Sequence, residues 1–233
     1  MHRIAVVTGS SSGIGRATAT RLLEAGFTVI GLARHHNQSE MSHDRYHPCT
    51  ADFSDIEKLD KIAADISKDN PKISVLVCNA GFGDFRHLEN FSYKQIQEFL
   101  NVNLVAHIVL CRHMVSGMKK LGQGDIVIVG SEAALIGKRK ATLYSAAKFG
   151  MRGFAQSLRD EVGSSGLRVC LINPGMVRSE FFNNLMIISF FIGSIQSNSQ
   201  LVIAKLLSQV DLGKDFGLFG SFSRRTNVLD VSY

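Results

Sequence analysis

Five short apolar runs, each containing β-branched residues, alternate along the chain with segments of helical periodicity. Because their residues are apolar at consecutive positions rather than at every second one, we expect strands buried on both faces. Such strands alternating with helices predict an α/β fold, a doubly wound parallel sheet between two layers of helices, three layers in all. The predicted strands are IAVVT (4–8), FTVIGL (27–32), ISVLV (73–77), DIVIV (125–129) and LRVCLI (167–172).

Length and composition fit one soluble globular domain. With 233 residues the chain can bury one sizeable core, and we predict a single domain over residues 1–233. Apolar residues make up 45% of the chain and charged residues 20%, as in an ordinary globular enzyme. The apolar run near the amino terminus is too short for a signal peptide, and no segment has about 20 consecutive apolar residues. We therefore expect a cytoplasmic protein without a membrane segment.

Charge and cysteine content narrow the function classes further. The net charge is +6, and no long basic run carries interleaved aromatic residues, so we expect no nucleic-acid partner. The cysteines lack the spacing of a zinc or redox motif, and we interpret them as reduced, mostly buried thiols. They are Cys49, Cys78, Cys111 and Cys170.

Helix boundaries are legible at three places. Ser54 followed by Glu57 predicts a capping box at the start of a helix, and Ser92 followed by Gln95 predicts a second one. Gly26 stands where the first helix is expected to end. An apolar stripe of helical spacing follows the first box, made by Ile56, Leu59, Ile62, Ala63 and Ile66.

A glycine-rich turn, TGSSSGIG, follows the first predicted strand and opens the first predicted helix. Its glycines are Gly9, Gly13 and Gly15, a spacing that differs from the commoner Gly-x-Gly-x-x-Gly. Backbone N–H groups and the helix dipole at such a turn attract a pyrophosphate, and glycines let the backbone approach it closely. The alternative is a tight strand-to-helix turn that binds nothing.

Arg34 bears on which dinucleotide would bind. An NAD site places a carboxylate near the end of the second strand, where it holds the ribose 2′-hydroxyl. This chain instead has Ala33 and Arg34 there, and an arginine can pair with a 2′-phosphate. We therefore predict NADP(H) as the preferred cofactor, with NAD(H) possible. A solvated loop cation is the other interpretation of Arg34.

Tyr144 and Lys148 lie four residues apart in a segment of helical pattern, so both project from one face. An ammonium beside a phenol favours the phenolate, so we expect the pKa of Tyr144 to lie below its usual value of about 10. A phenol of that kind suits proton donation. Tyrosine and lysine at helical spacing are also common on ordinary surfaces, so this pair decides nothing alone.

Together these motifs resemble the short-chain dehydrogenase/reductase family, over residues 3–182. TGSSSGIG resembles the family's TGxxxGxG turn, and Cys78–Gly81 resembles its NNAG turn with cysteine in place of the first asparagine. Asn173–Ser179 resembles its PGxVxT segment, with Ser179 in place of threonine. Ala106 stands where the corresponding helix often has glycine. The resemblance implies a Rossmann-type fold.

The resemblance also implies roles for individual residues. Tyr144 would be the acid/base, and Ser131 would donate a hydrogen bond to the substrate oxygen. Lys148 would contact the nicotinamide ribose and modulate Tyr144, and Asn103 would hold a water in a proton relay. Taken singly, Ser131 could equally cap a turn and Asn103 satisfy a neighbouring backbone group. The implied cofactor contacts are Gly9, Ser11, Ser12, Gly13, Ile14, Gly15, Arg34, Asp52, Phe53, Asn79, Ala80, Gly81, Tyr144, Lys148, Pro174, Gly175, Val177 and Ser179.

The function expected on these grounds is hydride transfer between NADP(H) and a carbonyl or secondary alcohol. A 3-oxoacyl-carrier-protein reductase and a 3-hydroxy-acid dehydrogenase are the nearest subclasses. The alternative from a different class is an NADP(H)-binding sensor without turnover. The resemblance also implies a homodimer or homotetramer, with helices 93–118 and 143–163 pairing across a dimer. The other partner is a small-molecule substrate.

Four further segments are weaker signals. Histidines crowd the connection after the second strand, but we expect no metal there because Pro48 and the surface position favour a solvated loop. Lys138–Lys140 is either a solvated loop or an attractor of acidic substrates. Residues 180–205 are expected to form an apolar substrate lid. The tail 211–233 lacks the family's usual closing pattern, with one strand predicted near 228–231.

Overall fold

The structure, a computed structural model, describes residues 3–36 and 41–174. Within them the strands are β1 Ile4–Thr8, β2 Thr28–Ala33, β3 Tyr46–Thr50, β4 Ile73–Cys78, β5 Gly124–Val129 and β6 Leu167–Ile172. The α-helices are α1 Gly13–Glu24, α2 Ile56–Asp69, α3 Tyr93–Leu100, α4 Ala106–Leu121 and α5 Thr142–Val162. Shorter 3₁₀-helices cover Leu88–Asn90, Glu132–Ala134 and Gly163–Ser165, and a π-helix covers Asn101–Val105.

The six strands form one parallel sheet in the order β3-β2-β1-β4-β5-β6. This is the Rossmann order, and the predicted fold class is confirmed. The order reverses between β1 and β4, so the chain leaves these neighbouring strands in opposite directions. In open α/β sheets the crevice at this switch point, outside the carboxyl ends of the strands, is where ligands bind.

Both faces of the sheet are covered by helices, which gives the predicted three layers. On one face, Leu22 of α1 and Phe27, which lies between α1 and β2, share an apolar cluster with Val29 and Val127. The other face carries α2, α4 and α5, whose buried residues join a larger cluster with β4, β5 and β6. All five predicted apolar runs lie in strands. Burial on two sides explains why those runs are continuously apolar.

Of the six strands, β3 is the one that is missing from the list of predicted apolar runs. Its residues, YHPCT, contain a proline and few apolar side chains. They form a strand because β3 lies at the sheet edge, where Pro48 needs no N–H for an outer neighbour and exposed polar side chains are tolerated. His47 therefore lies within a strand rather than in a connecting loop. The strand predicted near 228–231 lies outside the described residues.

Two of the three predicted helix boundaries are confirmed and one is wrong. Ser92 and Gln95 make the predicted reciprocal capping box at α3, and Gly26 follows the end of α1 with a φ of 86°. The cap of α2 is Asp55, whose carboxylate accepts from the N–H of Lys58. Ser54 instead bonds to Asp52, because the chain turns one residue later than the sequence pattern suggested.

The helical run Tyr93–Leu121 is long and apolar enough to cross a membrane by length and composition. It contains α3, the π-helix and α4. Leu110, Met114 and Met118 of this run are buried in the core cluster, and 39% of its apolar window is buried inside the protein. As predicted, all four cysteines are free thiols, and three of them are buried.

Candidate active site

The glycine-rich turn lies at the carboxyl end of β1 and passes into α1. Gly9 and Gly13 have φ values of 67° and 52°, in the left-handed region that glycine adopts without strain. A Cβ on Gly15 would collide with the carbonyl oxygen of Gly9 and lie 2.6 Å from Nδ2 of Asn79. Gly15 therefore packs directly against the backbone of the turn, and only glycine fits at this position. A cofactor pyrophosphate requires such a compact turn at a helix N-terminus.

Thr8 connects this turn to the Cys78–Gly81 turn after β4. Its hydroxyl accepts from the N–H groups of Asn79 and Ala80 at 2.8 and 2.9 Å and donates to the carbonyl of Val77 at 3.2 Å. Asn79 returns a bond from Nδ2 to the carbonyl of Thr8 at 3.0 Å. The two turns at the switch point are thus held as one unit. Sequence reasoning missed Thr8, because a threonine ending a strand is unremarkable until its neighbours are known.

Asn103 is completely buried at the centre of the π-helix between α3 and α4. Its Oδ1 accepts from the N–H of Phe82 at 3.2 Å, and its Nδ2 donates to the carbonyl of Phe99 at 3.1 Å. A π-helix is rare and often marks a functional position. The side chain therefore connects this helix to the segment after Gly81. Asn103 also lies so close to Gly81 that there is no room for a Cβ on that glycine.

His107 is a second buried group that sequence reasoning missed. Its Nε2 lies 2.7 Å from the carbonyl oxygen of Ala80, and its Nδ1 is buried without a partner. A carbonyl can only accept, so Nε2 donates. Burial, assisted by the positive charge of Lys148, lowers the pKa of His107 from 6.5 to about 4. His107 is therefore neutral at physiological pH and supports the Cys78–Gly81 turn from behind.

Ser131 begins a 3₁₀-helix just after β5. Its hydroxyl accepts from the N–H of Ala133 at 3.2 Å and also hydrogen-bonds to Tyr144. Its backbone N–H donates to Oδ1 of Asn173 at 3.1 Å. Asn173, completely buried after β6, also lies so close to Gly130 that a Cβ there would collide with it. The position of Ser131 is consequently fixed by two neighbouring strand ends.

Tyr144 and Lys148 project from the first two turns of α5 into this region, and both are almost fully buried. The Tyr144 ring packs against Phe85 and Phe99, with centroids 5.1 and 6.4 Å away. Nζ of Lys148 lies 5.7 Å from the Tyr144 ring centroid and donates to the carbonyl of Val129 at 3.2 Å. The structure thus brings Ser131, Tyr144 and Lys148 together.

The expected downward shift in the pKa of Tyr144 is wrong. Burial raises the pKa above 10, and the hydrogen bond from Ser131 only partly offsets the increase. The lysine carries the larger change, since burial lowers its pKa from 10.5 to about 8. The sequence argument considered the attraction of two groups and omitted the water that both lose on folding.

The other end of the crevice is more open. Arg34 follows β2 and is exposed, and Asp52, also exposed, follows β3. The pKa of Asp52 is lowered chiefly by the backbone N–H of Ser54, with a smaller contribution from the positive charge of Arg34. Phe53 is buried beneath this surface, in the cluster that contains Leu32. Arg34 is thus near Asp52 and accessible to a ligand.

The last predicted cofactor contacts are only partly described. Pro174 lies at the end of the described chain, where its carbonyl accepts a 3.4 Å bond from the N–H of Glu132. Gly175, Val177 and Ser179 lie outside the described residues, as do the predicted lid at 180–205 and the tail at 211–233. In residues 3–36 and 41–174 no cluster of three histidine, cysteine or acidic side chains is suitable for a metal ion.

Comparisons with known proteins agree with this geometry. The short-chain dehydrogenase family model matches residues 3–186, so the chain belongs to that family. It is similar to a 3-oxoacyl-acyl-carrier-protein reductase of Vibrio harveyi, with 33% identity over 76% of this chain and 75% of the relative. It is also similar to carbonyl reductase family member 4 of Danio rerio, with 31% identity over 77% and 78% of the two chains.

A solved structure of similar fold extends the comparison. It is named as an NAD(P)-dependent gluconate 5-dehydrogenase from Beutenbergia cavernae with bound NADP at low occupancy. Identity is 32%, coverage is 77% of this chain and 74% of that one, and the TM-score is 0.73. The predicted family is therefore confirmed, and the chain is an oxidoreductase of the dehydrogenase/reductase class.

Proposed function

We propose that the protein reduces a carbonyl group, or oxidises the corresponding secondary alcohol, with NADP(H). The observation that carries this proposal is the meeting of Ser131, Tyr144 and Lys148 beside the switch point. Their side chains lie at the carboxyl edge of the sheet, where the glycine-rich turn also ends β1. A cofactor and a substrate can therefore share one crevice.

The chain's residues would fit the cofactor along this crevice. The turn from Gly9 to Gly15 offers a helix N-terminus to the pyrophosphate. Its glycines have no Cβ atoms that would obstruct the approach of this group. Lys148 would contact the nicotinamide ribose, while Arg34 would contact the adenosine ribose at the other end. When bound, NADPH supplies a hydride to the carbonyl carbon.

Proton movement would be the task of Tyr144. As a carbonyl accepts a hydride, negative charge develops on its oxygen, and a nearby donor must neutralise it. The Ser131 hydroxyl would donate a hydrogen bond to that oxygen, and the Tyr144 hydroxyl would deliver the proton. Lys148, with a pKa of about 8, would retain a positive charge at neutral pH that favours release of the phenolic proton. Asn103 would hold a water that links Lys148 to solvent.

Arg34 supports a preference for NADPH over NADH. It is exposed and stands directly after β2, where an NAD site would place a carboxylate instead. A 2′-phosphate adds charge that a guanidinium can bind through two hydrogen bonds. NADP in the Beutenbergia cavernae structure is consistent with this assignment, and NADH use by this chain is possible.

A 3-oxoacyl thioester on a carrier protein is the substrate class that we favour. The similarity to the Vibrio harveyi reductase supports it. Lys138, Arg139 and Lys140 are all exposed between Ser131 and Tyr144, where they would attract an acidic carrier. A 3-hydroxy acid is the second candidate, since its carboxylate would be attracted by the same cations. The substrate for which the Beutenbergia cavernae structure is named, gluconate, also carries a carboxylate.

The experiment is a carbonyl-substrate panel with both cofactors. We expect purified protein to oxidise NADPH with an acetoacetyl thioester faster than with simple ketones or 3-oxo acids. Replacing Lys138, Arg139 and Lys140 together by alanine should raise KM for a carrier-protein thioester and leave KM for a small thioester unchanged. Equal KM changes for both substrates would contradict the carrier assignment.

A non-catalytic NADP(H) sensor is the alternative function. It predicts NADPH binding without turnover across the whole panel. The intact set of Asn103, Ser131, Tyr144 and Lys148 argues against it, because a sensor does not require a proton donor.

Cytoplasmic localisation and a homodimer or homotetramer are part of the proposal. Exposed apolar side chains on α4 and α5, Ile108 and Phe149, suit helix pairing between subunits.

A further inference from the structure

The connection between β2 and β3 differs from the other crossovers in the sheet. Residues 34–36 and 41–45, the described part of it, contain no helix, whereas every other pair of consecutive strands is joined through at least one. At this edge a cavity of about 330 Å³ lies beside the glycine-rich turn. Its lining includes Ser10, Ser11 and Arg16 from the turn and α1, with His36 and Tyr46 from the β2–β3 side.

A continuous chain of hydrogen bonds forms one wall of this cavity. Oγ of Ser10, within the glycine-rich turn, lies 3.0 Å from the hydroxyl of Tyr46 on β3. That hydroxyl lies 3.2 Å from Nδ1 of His36, and Nε2 of His36 lies 3.1 Å from the carbonyl oxygen of Cys49. Ser10 is completely buried and Tyr46 nearly so, so water has little access to the hydrogen bond between their hydroxyls.

The Cys49 carbonyl, at the end of this series of hydrogen bonds, determines which atom donates in each of them. Because the Cys49 carbonyl can only accept, Nε2 of His36 donates to it, and in the tautomer with its single proton on Nε2 the Nδ1 atom is an acceptor. Tyr46 therefore donates to His36 and accepts from Ser10. The Ser10 hydroxyl is fixed in one orientation by groups on the outer strand, more than thirty residues away in sequence.

Gly31 makes this contact possible. It lies on β2, between Ser10 and Tyr46, and pairs with Val7 on β1 and Pro48 on β3. A Cβ on Gly31 would collide with the Tyr46 hydroxyl and lie 2.5 Å from Oγ of Ser10. The two hydroxyls thus meet directly over the strand, in space that any other residue would fill.

We propose that Tyr46 is a positioning residue for dinucleotide binding, which acts by holding Ser10 and thereby the glycine-rich turn. The proposal rests on the proposed function, since the turn has to bind NADP(H). From the sheet edge, Tyr46 supports the glycine-rich turn, as a packed crossover helix would. It keeps the turn in its compact shape before the cofactor binds. His36 holds Tyr46 and contributes indirectly.

The test is Tyr46→Phe, which keeps the ring and removes the hydroxyl. We expect the Kd and KM for NADPH to rise about three- to tenfold, the loss of one hydrogen bond, with kcat within twofold of the parent. Tyr93→Phe is the matched control, since Tyr93 is 80% exposed on α3, and it should change neither constant. Unchanged NADPH affinity in Tyr46→Phe would overturn the proposal.

A double-mutant cycle separates positioning from general loss of structure. Ser10→Ala removes the same bond from its other end, so Ser10→Ala/Tyr46→Phe should bind NADPH no more weakly than the weaker single variant. Additive losses would show that the two hydroxyls act separately and would also overturn the proposal. Failure of the parent protein to bind any dinucleotide would instead reject the proposed function.

Discussion

The two ends of the crevice are built differently. The proposed catalytic cluster is made of Asn103, Ser131, Tyr144 and Lys148. These side chains make hydrogen bonds within the protein, and three of the four are almost fully buried. The proposed adenosine end is made of Arg34, Asp52 and Phe53. Its two charged side chains are exposed, and only Phe53 is buried.

This difference teaches where each end obtains its specificity. Buried groups lose hydration on folding, so their pKa values shift and their positions are fixed before a ligand binds. Exposed groups keep their solvation and select a ligand through its charge and the hydrogen bonds that it accepts. The catalytic cluster should therefore respond strongly to single-atom changes and to pH, whereas the adenosine end should respond mainly to the charge of the cofactor.

The largest expected effect is at Tyr144. Tyr144→Phe removes one oxygen from a buried ring and should lower kcat by ~10²–10⁴-fold, the range for loss of an acid/base group. NADPH affinity, measured by fluorescence titration, should stay within a few fold of the parent. Tyr93→Phe on exposed α3 is the control. A Tyr144→Phe variant with normal binding and parental kcat would remove the proton donor from the mechanism.

A pH effect of a few kcal/mol is expected from His107. Its folded pKa of about 4 lies below the unfolded value of 6.5, so the unfolded chain binds the extra proton first as pH falls. Stability present above pH 6.5 should be lost progressively towards pH 4, by about 3 kcal/mol. Urea unfolding of the parent and His107→Gln would measure it. The variant should lack this loss, while exposed His87→Gln should follow the parent; parallel pH curves for parent and His107→Gln would contradict the prediction.

A smaller stability loss is expected at the junction between the turns. Thr8→Val keeps the side-chain shape but leaves the N–H groups of Asn79 and Ala80 without their acceptor. We expect unfolding free energy to fall by about 2 kcal/mol and KM for NADPH to rise. Thr20→Val is the matched control, because the exposed Thr20 hydroxyl bonds only within α1. Equal losses in the two variants would show that the junction has no special role.

The smallest effect, and the most selective, is expected at the adenosine end. Arg34→Ala should weaken NADPH binding by about tenfold, the loss of a charged hydrogen bond, and change NADH binding little. Isothermal titration with both dinucleotides measures the ratio of the two Kd values. Lys94→Ala, an exposed cation on α3, should leave that ratio unchanged. Equal weakening of both dinucleotides by Arg34→Ala would break the charge-based account of this end.

Motifs read along the chain supplied all four residues of the proposed catalytic cluster. A glycine turn, a tyrosine and lysine four apart, and buried β-branched runs each reflect a local backbone or side-chain requirement. Thr8, His107 and Asn173 were not predicted, because their hydrogen-bond partners are between 27 and 72 residues away in sequence. β3 was missed for a related reason: its proline and polar residues are acceptable only at a sheet edge, and sequence does not show which strand is at the edge.

The sequence by itself determined the parallel α/β sheet and the glycine-rich turn, and it supplied the residues that we propose for catalysis. Each depends on periodicity or spacing over a few residues, which survives without knowledge of the neighbours. Only the tertiary structure decided that Tyr144 has a raised pKa and Lys148 a lowered one, and that Tyr46 reaches Ser10 across Gly31. Desolvation and close approach depend on the atoms that surround a group, and these come from distant parts of the chain.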